Sequence, residues 1–496
     1  MRMRGIPALL LAAVLLSAAP ATAQEKEITI GRQVSTTAMD PGFLREAATI
    51  VDNIFDTLVM RNDKMELVPG LAESWTAIDD TTWEFKLRQD VKFHNGEEFN
   101  ADAVKFTLDR ILDPAANAPT RSYISTVAGV EVVDPFTVRV TTNGPDPLLP
   151  TRMSRYPAYI VPPKYVAEIG NDAFAQKPVG TGPYKFVEFV PDQHVILEAN
   201  DAYWRGEPSV GKVKWVPIPD GTARITALVT GEVDLIENVP VDLSPMISAT
   251  PDVDLVQVKN GGLTIYLGLV MSEQPLDNPK VRQALNIAID RESIVKNILQ
   301  GMATARGTQV GPSDFGYVDI PAPAFDPEKA KQLLAEAGYP DGFPITMQST
   351  NRYMKDGEVA QAIAQQFGDI GVKVNQEVLD WSVYVQQVPH KGPIFMLGWG
   401  STQTLDADAA IYAIMKTGEP YSTASIPELD KLLDESRQIV DPEKRKEVLA
   451  EIQKLAAEQV PLITLYQEDA LYGKKKTVGF QGRPDARIPV FDITVE

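Results

Sequence analysis

No cysteine occurs anywhere in the 496 residues, which excludes disulfides, thiol catalysis, thiolate metal sites and lipidation of a cysteine at a cleavage site. Histidine is scarce as well. The three present, His94, His194 and His390, are far apart and in no metal-ligand spacing, so neither a metal nor another cofactor is expected. No Gly-x-Ser-x-Gly, P-loop or His-Glu-x-x-His pattern appears. Residues 180–182 (GTG) lack the third glycine and following helix of a nucleotide loop. Positive charge is in deficit: 47 basic against 67 acidic side chains give a formal net charge of −20. That balance argues against nucleic acid and anionic lipid as partners.

One apolar run stands out, residues 6–16, flanked by Arg2 and Arg4 and followed by Ala21-Thr22-Ala23 before Gln24. The run is too short for a spanning helix, which takes about 20 apolar residues, and it reads as a secretory signal over residues 1–23. The expected mature form is soluble, exported and free in the periplasm. Its roughly 470 residues exceed one hydrophobic core, so two or three domains are expected.

Strand and helix signals alternate along the chain. A strand opens at residues 27–30, and Trp83, Phe85 and Leu87 alternate as on a half-buried strand. Residues 130–141 form a hairpin across Asp134-Pro135, and a helix starts near Ala101. Further on, Asn278-Pro279, Asp326-Pro327 and Asp441-Pro442 each cap a helix, the second stopping at Gly338 and the third at Pro461. A helix over residues 358–367 joins strands at 345–348 and 372–379, a βαβ unit that sets both strand ends on one sheet edge.

The most informative stretch is residues 393–399 (PIFMLGW), followed by Gly400, Ser401 and Thr402. It reads as a buried strand ending on a glycine, an aromatic and small polar groups. Residues 345–348 run likewise into Asn351, Arg352 and Tyr353, and residues 372–379 into Trp381 and Tyr384. Ligands of open α/β sheets sit beyond the carboxyl ends of strands. These three ends carry aromatics, one arginine, amides and hydroxyls but no catalytic triad, so they suit the wall of a binding cleft. Asp406 and Asp408 are a paired-carboxylate pattern that could serve a glycosidase, but neighbours two apart in one loop rarely face one bond.

At this point several stretches together resemble the extracellular solute-binding proteins of family 5, which include dipeptide-, oligopeptide-, opine-, glutathione- and nickel-binding proteins. They are residues 67–75 (LVPGLAESW), 83–88 (WEFKLR), 91–96 (VKFHNG), 180–184 (GTGPY), 200–204 (NDAYW), 231–234 (GEVD), 278–285 (NPKVRQAL) and 427–430 (PELD). The resemblance spans nearly the whole mature chain and implies an α/β, two-lobe periplasmic binding protein fold of type II, in its large cluster C form. It implies lobe I at 24–55, 181–265 and 468–496, an inserted subdomain at 56–180, and lobe II at 266–467. The hinge crossings would fall near 266–269 and 465–467. It further implies a monomeric receptor that takes a small solute to an inner-membrane ABC permease. An exported peptidase or glycosidase is the alternative.

Peptide-binding members keep an aspartate for the ligand's α-amine where this chain has Thr402, so a weakened site for free peptide N-termini is implied. Dipeptide-binding members keep an arginine for the ligand carboxylate where this chain has Arg352; the alternative for Arg352 is a salt bridge to Asp356 or another surface acid. The expected ligand set is Arg352, Trp399, Gly398, Gly400, Thr402, Trp381, Tyr353 and Asn351. Thr36 and Thr37 join it from the opposing lobe, while Trp75, Trp83, Trp204 and Trp215 are assigned to packing.

Overall fold

The computed structural model describes residues 26–43, 49–155, 158–388, 392–401 and 404–496. The expected leader, Thr402 and His390 lie outside them. Among the described residues no helix is long and apolar enough to cross a membrane.

Three sheets organise the molecule. A seven-stranded sheet sets Glu27–Arg32 between Lys212–Pro217 and Leu235–Ile236, parallel to both. Antiparallel strands flank this centre: Tyr184–Val190 and His194–Ala199 on one side, Ala470–Lys475 and Val253–Val258 on the other. A six-stranded sheet runs in the order Ala303–Ala305, Leu462–Glu468, Thr264–Leu269, Ile394–Trp399, Pro344–Ser349, Lys373–Val378. An antiparallel four-stranded sheet holds Ala72–Asp79, Thr82–Leu87, Thr137–Thr142 and Val127–Asp134, with helix Ala101–Leu112 against it.

Local chemistry explains the boundaries. The Asn278, Asp326 and Asp441 side chains accept backbone N–H groups of the first turn, and proline follows each. Helix Pro442–Gln459 ends at Val460, held at φ 51°, before Pro461 can interrupt it. Helix Asp356–Asp369 links the parallel strands Pro344–Ser349 and Lys373–Val378, as the βαβ pattern requires.

The chain passes between the two large sheets twice, at residues 259–263 and at Asp469. Residues 266–269 and 465–467, expected to be crossings, instead pair inside the six-stranded sheet. Both of their faces are buried, Gln467 included, so no polar alternation marks them as sheet strands rather than connections. Within 56–180, Tyr159, Val161, Val166 and Phe174 pack into the core of the seven-stranded sheet rather than that of the four-stranded one.

The 180–182 loop has a structural reason. A Cβ on Gly180 would lie 2.0 Å from the Ile54 carbonyl oxygen, and one on Gly182 2.7 Å from it. The Thr181 hydroxyl donates to buried Asp56, which also accepts from Tyr203 and Trp204, each at 2.9 Å. The Gly180 N–H donates to His94 Nδ1 at 3.3 Å, while His94 Nε2 donates to the Gly182 carbonyl at 2.9 Å.

Candidate functional site

Four strands of the six-stranded sheet point the same way: Pro344–Ser349, Lys373–Val378, Ile394–Trp399 and Leu462–Glu468. Their carboxyl ends share one edge. The parallel centre of the seven-stranded sheet ends on Gln33, Pro219 and Asn238. These three residues line a cavity of about 560 Å³ together with Arg352, Tyr353 and Glu468 from the other sheet. A cavity between two carboxyl edges is where α/β folds hold ligands.

The Arg352 loop is tied down by carboxylates. Asp356 Oδ2 accepts the N–H groups of Arg352 and Tyr353, each at 3.0 Å, and Glu468 Oε1 accepts the Met354 N–H at 2.9 Å. Asp356 is thus engaged by backbone amides, and among the described residues Arg352 forms no salt bridge with it or with another acid. The Arg352 guanidinium instead stacks over Trp381, 4.3 Å from the ring centroid. Trp381 opens helix Trp381–Gln387 and meets the Tyr353 ring edge-on at 6.1 Å. Tyr353 rests on Gly398, where a Cβ would come within 2.6 Å of the ring. Arg352, Tyr353, Trp381 and Gly398 are therefore one cluster, with Asn351 exposed at its rim.

Other expected members sit differently. Trp399 is half-buried, but its Nε1 donates to the Ala409 carbonyl at 2.8 Å, so this N–H is committed to the protein. Its ring faces Tyr421 at 5.1 Å. Gly400 passes Leu263 at the first crossing. Thr36 accepts a long hydrogen bond from Arg32 at 3.4 Å and borders a small space with Phe189 and Trp215; Thr37 is exposed. Neither threonine lines the cavity of Arg352.

The acidic pair is structural. Asp406 forms a bidentate pair with Arg445 at 2.7 Å on both arms, and Asp408 binds Arg437 at 2.6 and 2.9 Å. Both carboxylates are buried, and fork-to-fork geometry leaves no lone charge for a solute. Their spacing in sequence resembles a reactive pair because it does not reveal that two arginines arrive from later helices.

Two features escaped the sequence. Glu468 closes a buried strand as the other strand ends do, and the only available signal was an acid terminating an apolar run. Trp75, assigned to packing, is half-buried and borders a second cavity of about 750 Å³ with Arg61 and Phe315. Trp83 also reaches that cavity but is otherwise buried, its Nε1 donating to the Asp146 carbonyl at 3.2 Å. At the inner strand ends, buried Ser349 Oγ, Thr350 Oγ1 and Tyr466 Oη have no hydrogen-bond partner among protein atoms. Such groups cost roughly 1–3 kcal/mol each when left dry. Among the described residues no group of three or more His, Asp or Glu could hold a metal ion.

Residues 66–422 match the family described as bacterial extracellular solute-binding proteins, family 5 Middle. The glutathione-binding protein GsiB of Salmonella typhimurium is 30% identical over 488 residues, 95% of this chain and 94% of its own. Among solved structures, HbpA2 from Haemophilus parasuis superposes with a TM-score of 0.86 at 27% identity, covering 95% of this chain and 100% of that one. The periplasmic binding protein DppA from Helicobacter pylori, in complex with the peptide STSA, superposes at 0.76 with 26% identity, covering 95% and 99%.

Proposed function

Because the chain belongs to the bacterial extracellular solute-binding proteins of family 5, we propose that it is the periplasmic receptor of an ABC importer for a peptide-like or opine-like polar solute. It is a binding protein and not an enzyme, which removes the hydrolase alternative. The observation that carries the ligand reading is the cavity between the two carboxyl edges, with the Arg352 guanidinium held over Trp381 inside its second-lobe wall. A planar guanidinium with no carboxylate within ion-pair distance among the described residues suits a carboxylate guest. Solute delivery to an inner-membrane permease and action as a monomer belong to the same proposal, as does removal of residues 1–23.

Native mass spectrometry of protein purified from the periplasm tests it first, since a captured solute is carried along. Calorimetry with glutathione, dipeptides and an opine then ranks the classes. We expect micromolar or tighter binding of at least one carboxylate-bearing member. Failure of all of them, together with binding of a neutral sugar, removes the peptide-like reading.

A further inference from the structure

Six charged side chains line the cavity between the sheets: Arg224, Asp242, Arg352, Lys355, Glu468 and Asp469. Four of them are spoken for. Arg224 donates to the carbonyls of Ile218, Pro219, Glu237 and Asn238 at 2.7–3.1 Å and stitches two strand ends together. Lys355 and Asp242 form an ion pair at 2.6 Å. Asp469 accepts from Gln257 Nε2 at 2.6 Å and from the Asn260 N–H at 2.8 Å. Arg352 and Glu468 remain. Among the described residues Arg352 has only the Trp381 face, and the Glu468 carboxylate only one backbone N–H, that of Met354.

These two opposite charges stand on the same wall, on either side of Tyr353 and Met354, and do not pair with each other. Among the described residues neither has an ion-pair partner: Arg352 is exposed and keeps its solvent, whereas Glu468 is half-buried and its unpaired charge is penalised. A guest with a carboxylate and an ammonium group compensates both at once. The acid that position 402 lacks is also not supplied by Asp406 or Asp408, whose oxygens are taken by Arg445 and Arg437.

Resting on the receptor reading above, we infer that Glu468 is the anchor for a cationic nitrogen of the solute, and that with Arg352 it selects amino-acid-derived zwitterions. An α-ammonium or the secondary ammonium of an opine both meet this chemistry. Burial, with a smaller contribution from Asp356, pushes the Glu468 carboxyl up to about 7. Tyr353 and Tyr466 are the other titratable groups facing it. A cationic guest pulls the proton off, so binding at neutral pH releases roughly half a proton to the buffer.

The test uses the full mature protein with glutathione and the peptide Ser-Thr-Ser-Ala, each free and N-acetylated. Calorimetry in two buffers of different ionisation heat reads affinity and proton release together. Wild type should prefer a free amine by at least ten-fold and release protons on binding it. Glu468→Gln should level the two forms and abolish the release, while Arg352→Ala should weaken both forms. A wild type that binds a free amine without proton release, or a folded Glu468→Gln that keeps the preference, overturns the role of Glu468 and leaves the receptor reading standing. If Glu468→Gln fails to fold, the wild-type proton count alone decides. A wild type that binds none of the four solutes sinks the peptide-like reading and this assignment with it.

Discussion

His94 illustrates how much a single buried side chain contributes to the joint between the four-stranded sheet and the seven-stranded one. Burial, with a smaller contribution from Lys185, lowers its ring to a pKa of about 4 against the opposing pull of the Gly182 carbonyl, so the imidazole is neutral at pH 7. A depressed histidine pKa binds fewer protons folded than unfolded, so its contribution is complete above the unfolded value of about 6.5. It is lost as pH falls from there towards 4. The difference corresponds to roughly 3 kcal/mol. Thermal melts of wild type and His94→Gln between pH 7.5 and 4.5 should therefore converge at the acid end. Parallel curves would show that other groups dominate. At the same scale, Arg445→Met should cost roughly 3–5 kcal/mol in urea unfolding, since it strands the buried Asp406 carboxylate. A loss under 1 kcal/mol would mean that water reaches that pair.

Elements transmit these effects to the binding surface. The strand Ile394–Trp399 supports the Arg352 loop through Gly398, whose missing side chain makes room for Tyr353. Gly398→Ala forces the ring and Ile265 apart and should destabilise the protein by roughly 1–3 kcal/mol. Affinity should fall with it, because Tyr353 and Arg352 are consecutive and share the Asp356 clamp. Chemical denaturation beside calorimetry separates the two, and full affinity in a destabilised variant would detach Tyr353 from the site. The strand order also explains the legibility of the elements themselves. The parallel pair Pro344–Ser349 and Lys373–Val378 is legible from the helix between them, whereas residues 465–467, inside the antiparallel strand Leu462–Glu468, carry nothing in sequence that separates a sheet strand from a crossing.

Across the whole molecule, contacts between the two halves mix apolar and polar groups: Met302 and Met354 pack against the cluster of Ile225 and Leu228 beside the seven-stranded sheet, and Val440 against the core of the four-stranded one. Lys355 reaches Asp242 at 2.6 Å, and on the far flank Arg61 donates to the Thr404 carbonyl. Only the segments at 259–263 and Asp469 connect the sheets covalently. Two rigid sheets joined by two short segments suit hinge bending. Small-angle scattering should show a smaller radius of gyration with saturating solute than without. An unchanged radius at full occupancy would mean that the two halves do not move. Exposed ion pairs contribute about 0–1 kcal/mol, so Asp242→Asn should shift this equilibrium only slightly.

The amino-acid sequence by itself determined the fold class, the capped helices, the strand ends and the cluster of Arg352, Tyr353, Trp381 and Gly398. The α/β class, the caps and the shared strand edge follow from periodicity, from caps and from a βαβ unit, all local over a few dozen residues, while the two-lobe form and the place of Arg352 rest on the family resemblance. Tertiary structure alone decided which charges remain free. Asp406 and Asp408 are neutralised by arginines 39 and 29 residues away, and the Trp399 N–H by a carbonyl in the next helix. It also brought Glu468 to the edge where Arg352 stands, across more than a hundred residues of chain. Whether a charge is available to a solute depends on partners that sequence distance conceals, because burial makes pairing obligatory and folding chooses the pair.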